Sequence, residues 1–168
     1  MTPIRPRQGA YLCLLAGTAL LAAGCHSGGH TGSQASTPPA ARASASARAG
    51  AEKARTILDQ EFTGHESLGS GSGLLQAAFG DTMPAAPARV KSVTFALVCT
   101  GRAKVSLTFF TDGKRLSPAA RASDCDGSVF QQSIDLPTPG PVSFEADLSG
   151  SDQGGFAYSY FVEKEQTS

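Results

Sequence analysis

Between residues 90 and 162 the large apolar side chains recur at every second position. Val93, Phe95, Leu97 and Cys99 alternate with Thr94, Ala96 and Val98, and Val105, Leu107 and Phe109 alternate with Lys104, Ser106 and Thr108. Phe130, Ile134 and Leu136 share a parity across Gln132. Val142, Phe144, Ala146 and Leu148 alternate with Ser143, Glu145 and Asp147, and Phe156, Tyr158, Tyr160 and Val162 with Ala157, Ser159 and Phe161. A helix repeats every 3.6 residues and cannot keep such a set on one face, whereas a strand does so because successive side chains point to opposite sides. The pattern predicts five strands, each with one buried face. The expected core is Phe95, Leu97, Val105, Leu107, Phe109, Ile134, Phe144, Leu148, Phe156 and Tyr158.

The connections carry turn chemistry. Thr100-Gly101-Arg102 is short enough to make the first two strands a hairpin, and Asp112-Gly113 is the dipeptide favoured in type I′ turns. Asp126-Gly127 repeats that signal ahead of the next strand. The 137–141 run, Pro-Thr-Pro-Gly-Pro, cannot donate a regular ladder and is read as a loop. Residues 149–155 form a glycine-rich turn before the final strand. Two further short strands are placed at 74–79 and around 115–117. Short strands at such intervals indicate an all-β fold, a small antiparallel β-sandwich of five to seven strands, Ig-like or jelly-roll-like.

The amino terminus reads as an export signal. Arg5 and Arg7 precede residues 11–23, which carry no charge. Thirteen residues are too few to cross a bilayer as a helix, which needs about 20, but they match a signal-peptide apolar core. The end of this stretch, Leu21-Ala22-Ala23-Gly24-Cys25, resembles the lipobox of bacterial lipoproteins, with Ala22 where leucine is commonest. The resemblance implies cleavage between Gly24 and Cys25, a diacylglyceryl thioether on Cys25, and a stable tether on the outer side of the cytoplasmic membrane.

The four cysteines are then divided. Cys13 leaves with the signal and Cys25 is assigned to lipid, which leaves Cys99 and Cys125 as an even pair in an oxidising compartment. They are read as a disulfide, with two free thiols or a metal pair as alternatives. Zinc-type ligand spacing is absent.

Residues 25–50 hold no aliphatic side chain larger than alanine and read as a disordered linker. His26 and His30 flank two glycines, which forbid the helix that an i, i+4 metal pair needs. Over residues 51–62, Ala54, Ile57, Leu58 and Phe62 recur near the helical period, opposite Glu52, Lys53, Arg55 and Asp59. The resulting helix either docks on the domain or stays nascent in the stalk, and Gly64 ends it. The Gly69-Ser70-Gly71-Ser72-Gly73 run is either a joint or a strand. The expected division is therefore a leader at 1–24, a lipidated linker at 25–50, a helical segment at 51–65 and a sandwich domain at 66–168.

The domain resembles the small β-sandwich lipoproteins of high-GC Gram-positive bacteria. Residues 93–101 ending in Cys99-Thr100-Gly101, Lys104-Val105, Cys125-Asp126-Gly127 and Gly155-Phe156-Ala157-Tyr158 carry the resemblance. It implies no catalytic residue. The alanine, glycine and arginine bias, without asparagine, fits such a source.

Other chemistry is weighed residue by residue. The 14 basic and 14 acidic side chains cancel, and they remain nearly balanced after residue 88, so no polyanion such as nucleic acid is expected as a partner. A Ser-His-Asp arrangement would have to recruit His65, and no G-x-S-x-G precedes a helix. No phosphate-cradling glycine motif appears. Asp124 and Asp126 flank Cys125, but Ca²⁺ wants six to eight oxygens and turn formation explains both. Phe161 and Phe110 fall on outward parities, either to stack on sugar rings or dock a protein, or as residues in the second half of the core or under the helix. The expectation is a lipid-anchored, non-enzymatic interaction module of the cell envelope, without cofactor or metal. The alternative is a ligand-binding lipoprotein with a glycan, peptidoglycan or metal as its target.

Overall fold

The structure, a computed structural model, describes residues 39–116 and 121–165. The lipobox, with Gly24 and Cys25, lies outside the described residues, as do Cys13, His26 and His30. In chain order the elements are α1 (Pro39–Glu61), β1 (Ser67–Leu74), β2 (Ala78–Met83), β3 (Val90–Thr111), β4 (Lys114–Arg115), β5 (Arg121–Asp135), β6 (Val142–Gly150) and β7 (Gly155–Glu165). Among the described residues no helix is long and apolar enough to cross a membrane.

One long strand pair organises the rest. β3 and β5 pair antiparallel from Ser92 with Asp135 to Leu107 with Arg121. The other edge of β3 is taken by β7 as far as Thr100, then by β6 from Ala103 onward. β1 adds to β7, β2 to β6, and β4 to the end of β3. Phe95 and Phe109 sit on the same strand, which if straight would hold them more than roughly 40 Å apart. Their ring centroids are 5.0 Å apart. β3 therefore bends sharply, and the sheet folds on itself into the two layers of a sandwich.

The crease corrects the expected hairpin at Thr100-Gly101-Arg102. The chain bends there without reversing, and the segments on either side are halves of one 22-residue strand. Glycines with positive φ mark the line: Gly101 at +140° on β3, Gly127 at +94° on β5 and Gly150 at +99° on β6. The β3–β5 register shifts at Thr100. Asp126-Gly127 is likewise a bulge inside β5 and not a turn before it. The Asp126 carboxylate accepts the Ser128 amide at 2.8 Å, and glycine takes the left-handed conformation that a bulge requires. The Cys99–Cys125 disulfide is present and joins strand to strand across this crease, both cysteines being buried. Asp112-Gly113 does form the reversal into β4, with positive φ at both residues as a type I′ turn demands. Residues 74–79 do not form one strand: β1 ends at Leu74 and β2 begins at Ala78.

Phe95 is fully buried between the layers, with the rings of Phe144, Phe109, Tyr160 and Tyr158 around it. Every expected core residue is buried except Leu148, which is half-buried, and Tyr160 joins them.

The helix starts earlier than expected, so the carboxy-terminal part of the presumed linker is ordered. Residues 39–50 carry alanine at six positions, alanine being the strongest helix former, and proline is tolerated in a first helical turn. The docking face is built mostly from small residues, Ala47, Gly50, Ala51 and Ala54, with Leu58 beside them, set against Thr100, Gly155, Ala96, Val98 and Ala157. A Cβ on Gly155 would lie 2.2 Å from the Ala51 nitrogen. Close approach of backbones replaces the burial of large side chains, which a search for bulky apolar residues does not detect. Gly155→Val is expected to lift the middle of α1 and cost about 1–3 kcal/mol. Amide exchange should quicken along residues 47–58 while the β3–β5 pairing stays protected; unchanged exchange in α1 would refute this.

Candidate functional site

β1 reads Ser-Leu-Gly-Ser-Gly-Ser-Gly-Leu, and both halves of that alternation have a structural cause. Gly71 lies opposite Tyr158 and Gly73 opposite Phe156 in the β1–β7 register. A Cβ on Gly71 would come within 2.6 Å of the Tyr158 ring, and one on Gly73 within 3.3 Å of Phe156. The β7 aromatics thus fill the inner layer beneath β1 and leave room there only for hydrogen. The serines take the other face. Ser70 pairs with Ser159 and Ser72 with Ala157, producing a hydroxyl-bearing strip on the side of the sheet that carries α1. The Gly-Ser run is therefore a strand. The buried Ser159 hydroxyl bonds Ser67 Oγ at 2.8 Å and donates to the Gly69 carbonyl at 3.1 Å.

The last turns of α1 stand beside this strip as a wall. Arg55, Leu58, Asp59 and Phe62 face it, and Gly64, at φ +85°, turns the chain so that Thr63 and His65 close one end. The enclosed groove has a volume of about 500 Å³. Arg55 Nε lies 3.9 Å from Asp59 Oδ2. Phe62 is half-buried and stacks on Phe161 with ring centroids 4.2 Å apart, and His65 meets Phe62 edge-on at 5.7 Å. Phe161, on an outward parity, is thus roofed by the helix. Among the described residues no hydrogen bond ties the His65 ring to a serine or an acid. The groove offers hydroxyls, one donor-only group, one acceptor-only group and an apolar ring. That inventory suits reversible binding of a polar ligand.

A polar contact also links edge strand β2 to β7 in the other layer. Asp81 lies opposite Phe144 on edge strand β2 and accepts a hydrogen bond from the Tyr158 hydroxyl. Burial, reinforced by that carboxylate, pushes the Tyr158 phenol well above its ordinary range. Tyr160 is raised likewise, by burial first and then by the nearby Tyr158 and Asp81. Tyr158 therefore stays a neutral donor, and a side-chain bridge joins β2 to β7, between which no backbone ladder runs. An inward carboxylate on an edge strand also discourages intermolecular pairing there.

The acids flagged around Cys125 serve the crease. Asp124 pairs with Lys104 at 3.1 Å on the neighbouring strand. Hydrogen bonds from the Ser128 side chain and then its backbone hold the Asp126 carboxyl below its usual range. Among the described residues no group of three His, Cys, Asp or Glu side chains is placed to hold a metal ion. Phe110 is half-exposed on its strand. Sequence reasoning did not find the groove, although the period-two Gly-Ser pattern of β1 was its visible signal.

No protein-family model matches the chain, and no curated protein matches it. Solved structures give remote likenesses. TmCBM61, solved in complex with β-1,4-galactotriose, is 15% identical with a TM-score of 0.35, over 57% of this chain and 70% of that one. The carbohydrate-binding module CBM36, in complex with calcium and xylotriose, is 11% identical with a TM-score of 0.29, over 60% and 92%. Dimeric latent PorU from Porphyromonas gingivalis is 8% identical with a TM-score of 0.32, over 61% of this chain and 14% of that one.

Proposed function

We propose that the chain is a lipid-anchored extracytoplasmic module that works by binding, and that the groove between α1 and β1 takes a hydroxyl-rich ligand of the cell envelope, a glycan. The groove carries this reading. Its serines donate and accept as sugar hydroxyls do, and Phe62 supplies an apolar surface beside them. Pockets of this size with a few convergent polar groups are the usual form of small-ligand sites. The lipobox at Leu21–Cys25 supplies the anchor in this reading, through Cys25.

Two measurements test it. Nuclear magnetic resonance titration of the full-length lipoprotein in detergent micelles with envelope glycan fragments is expected to shift Ser70, Ser72 and Phe62 saturably. No shift in that set would sink the glycan reading. Cys25→Ala is expected to move the protein from the membrane fraction to the medium, and unchanged fractionation would refute the anchor. A protein partner is the second reading, favoured by Leu74, a large apolar side chain left 39% exposed at the end of edge strand β1. Such a partner would protect the β1 amides and leave the groove resonances in place.

A further inference from the structure

Resting on the glycan reading above, we infer that the groove selects an uncharged oligosaccharide lying along β1, with Arg55 and Asp59 as the pair that reads its hydroxyls. The charged side chains lining the groove, apart from titratable His65, are these two. They sit one helical turn apart with opposite signs, 3.9 Å from each other, so the wall carries no surplus charge. A guanidinium only donates hydrogen bonds and a carboxylate only accepts them. Side by side they match neighbouring hydroxyls, each of which can do both. An acidic sugar would instead meet the Asp59 carboxylate, with Arg55 already partly compensated, and like-charge juxtaposition works against a partner. A cationic amino sugar would meet Arg55 in the same way.

The shape sets the length of the ligand. The strip runs from Ser67 to Ser72 along β1, roughly 16 Å at strand spacing, which is the span of a short oligosaccharide and too long for one sugar. Phe62 is buttressed from behind by Phe161, so its ring is held still beside the strip at little cost in side-chain entropy. It offers the apolar faces of a pyranose a fixed surface.

The test is a calorimetric titration of the full-length lipoprotein in micelles. The probes are neutral tetrasaccharides of glucose, mannose and galactose, an oligouronate and a chitosan fragment of the same length, and free glucose. At least one neutral tetrasaccharide is expected to bind at least about tenfold more tightly than the oligouronate, the chitosan fragment and glucose. Asp59→Asn is expected to weaken neutral binding and to strengthen oligouronate binding, because it leaves the Arg55 charge uncompensated. Both side chains are more than two-thirds exposed, so the variant should melt at the parent temperature, which separates recognition from folding. Tighter oligouronate or chitosan binding by the parent protein would overturn the uncharged-ligand inference while leaving the glycan reading intact. So would affinities indifferent to Asp59→Asn. Failure of every saccharide to bind would overturn both.

Discussion

Replacing Cys99 and Cys125 together by alanine is expected to lower stability by about 3–4 kcal/mol, the loop-closure contribution for a 26-residue separation. For a domain of this size that corresponds to a melting temperature lower by roughly 10 °C or more. The bond lies where the β3–β5 ladder is interrupted. Around Thr100 the β3–β5 register shifts, and backbone pairing is interrupted before it resumes at Lys104. Gly101 and Gly127 contribute no side chain to packing at that line and carry the backbone freedom of glycine into the unfolded state. The covalent link supplies what the ladder lacks there. Thermal melts of the oxidised protein and the double alanine variant measure the difference, and coincident melts would show that the crease holds without it.

Phe95→Ala is expected to cost about 3–5 kcal/mol, the usual range for removing a fully buried phenylalanine. Its ring contacts Phe144 at 4.7 Å, Phe109 at 5.0 Å and Tyr160 at 5.2 Å between centroids. These neighbours come from β3, β6 and β7 and from both layers, so no single segment can shift to fill the space. Phe95→Leu, which keeps most of the volume, should cost distinctly less. Denaturant titration with a common slope gives both values. A loss below about 1 kcal/mol for the alanine variant would mean that the layers close over the gap and that Phe95 is not their centre.

What could be read from residues alone followed from burial of large side chains. Period two placed the strands and nearly the whole core, and Asp112-Gly113 fixed its turn, because both signals are local. The crease was not legible for a physical reason. A glycine with positive φ serves a reversal and a sharp bend equally well, and the choice at Gly101 is made by β5, β6 and β7, strands distant in sequence. The first turns of α1 were hidden by the same kind of ambiguity: alanine, glycine and serine suit an unfolded tether, and they also suit a helix that must approach a sheet closely. The groove was hidden for the same reason. Its wall exists only because small residues bring α1 down beside β1, and its floor is a serine-glycine alternation with almost no hydrophobic contrast.

The sharing of β3 and β5 between both layers bears on how the chain comes to be folded. Neither layer owns a complete set of strands, so neither can mature alone, and β7 follows every other described strand in the chain. β7 also forms the bed on which α1, the earliest described element, is seated. A chain synthesised from its amino end would hold α1 and the front half of β3 exposed until residues 155–165 arrived. Contacts between such distant parts of the sequence form slowly. Completion of β7 is then the event that commits the domain to its final form.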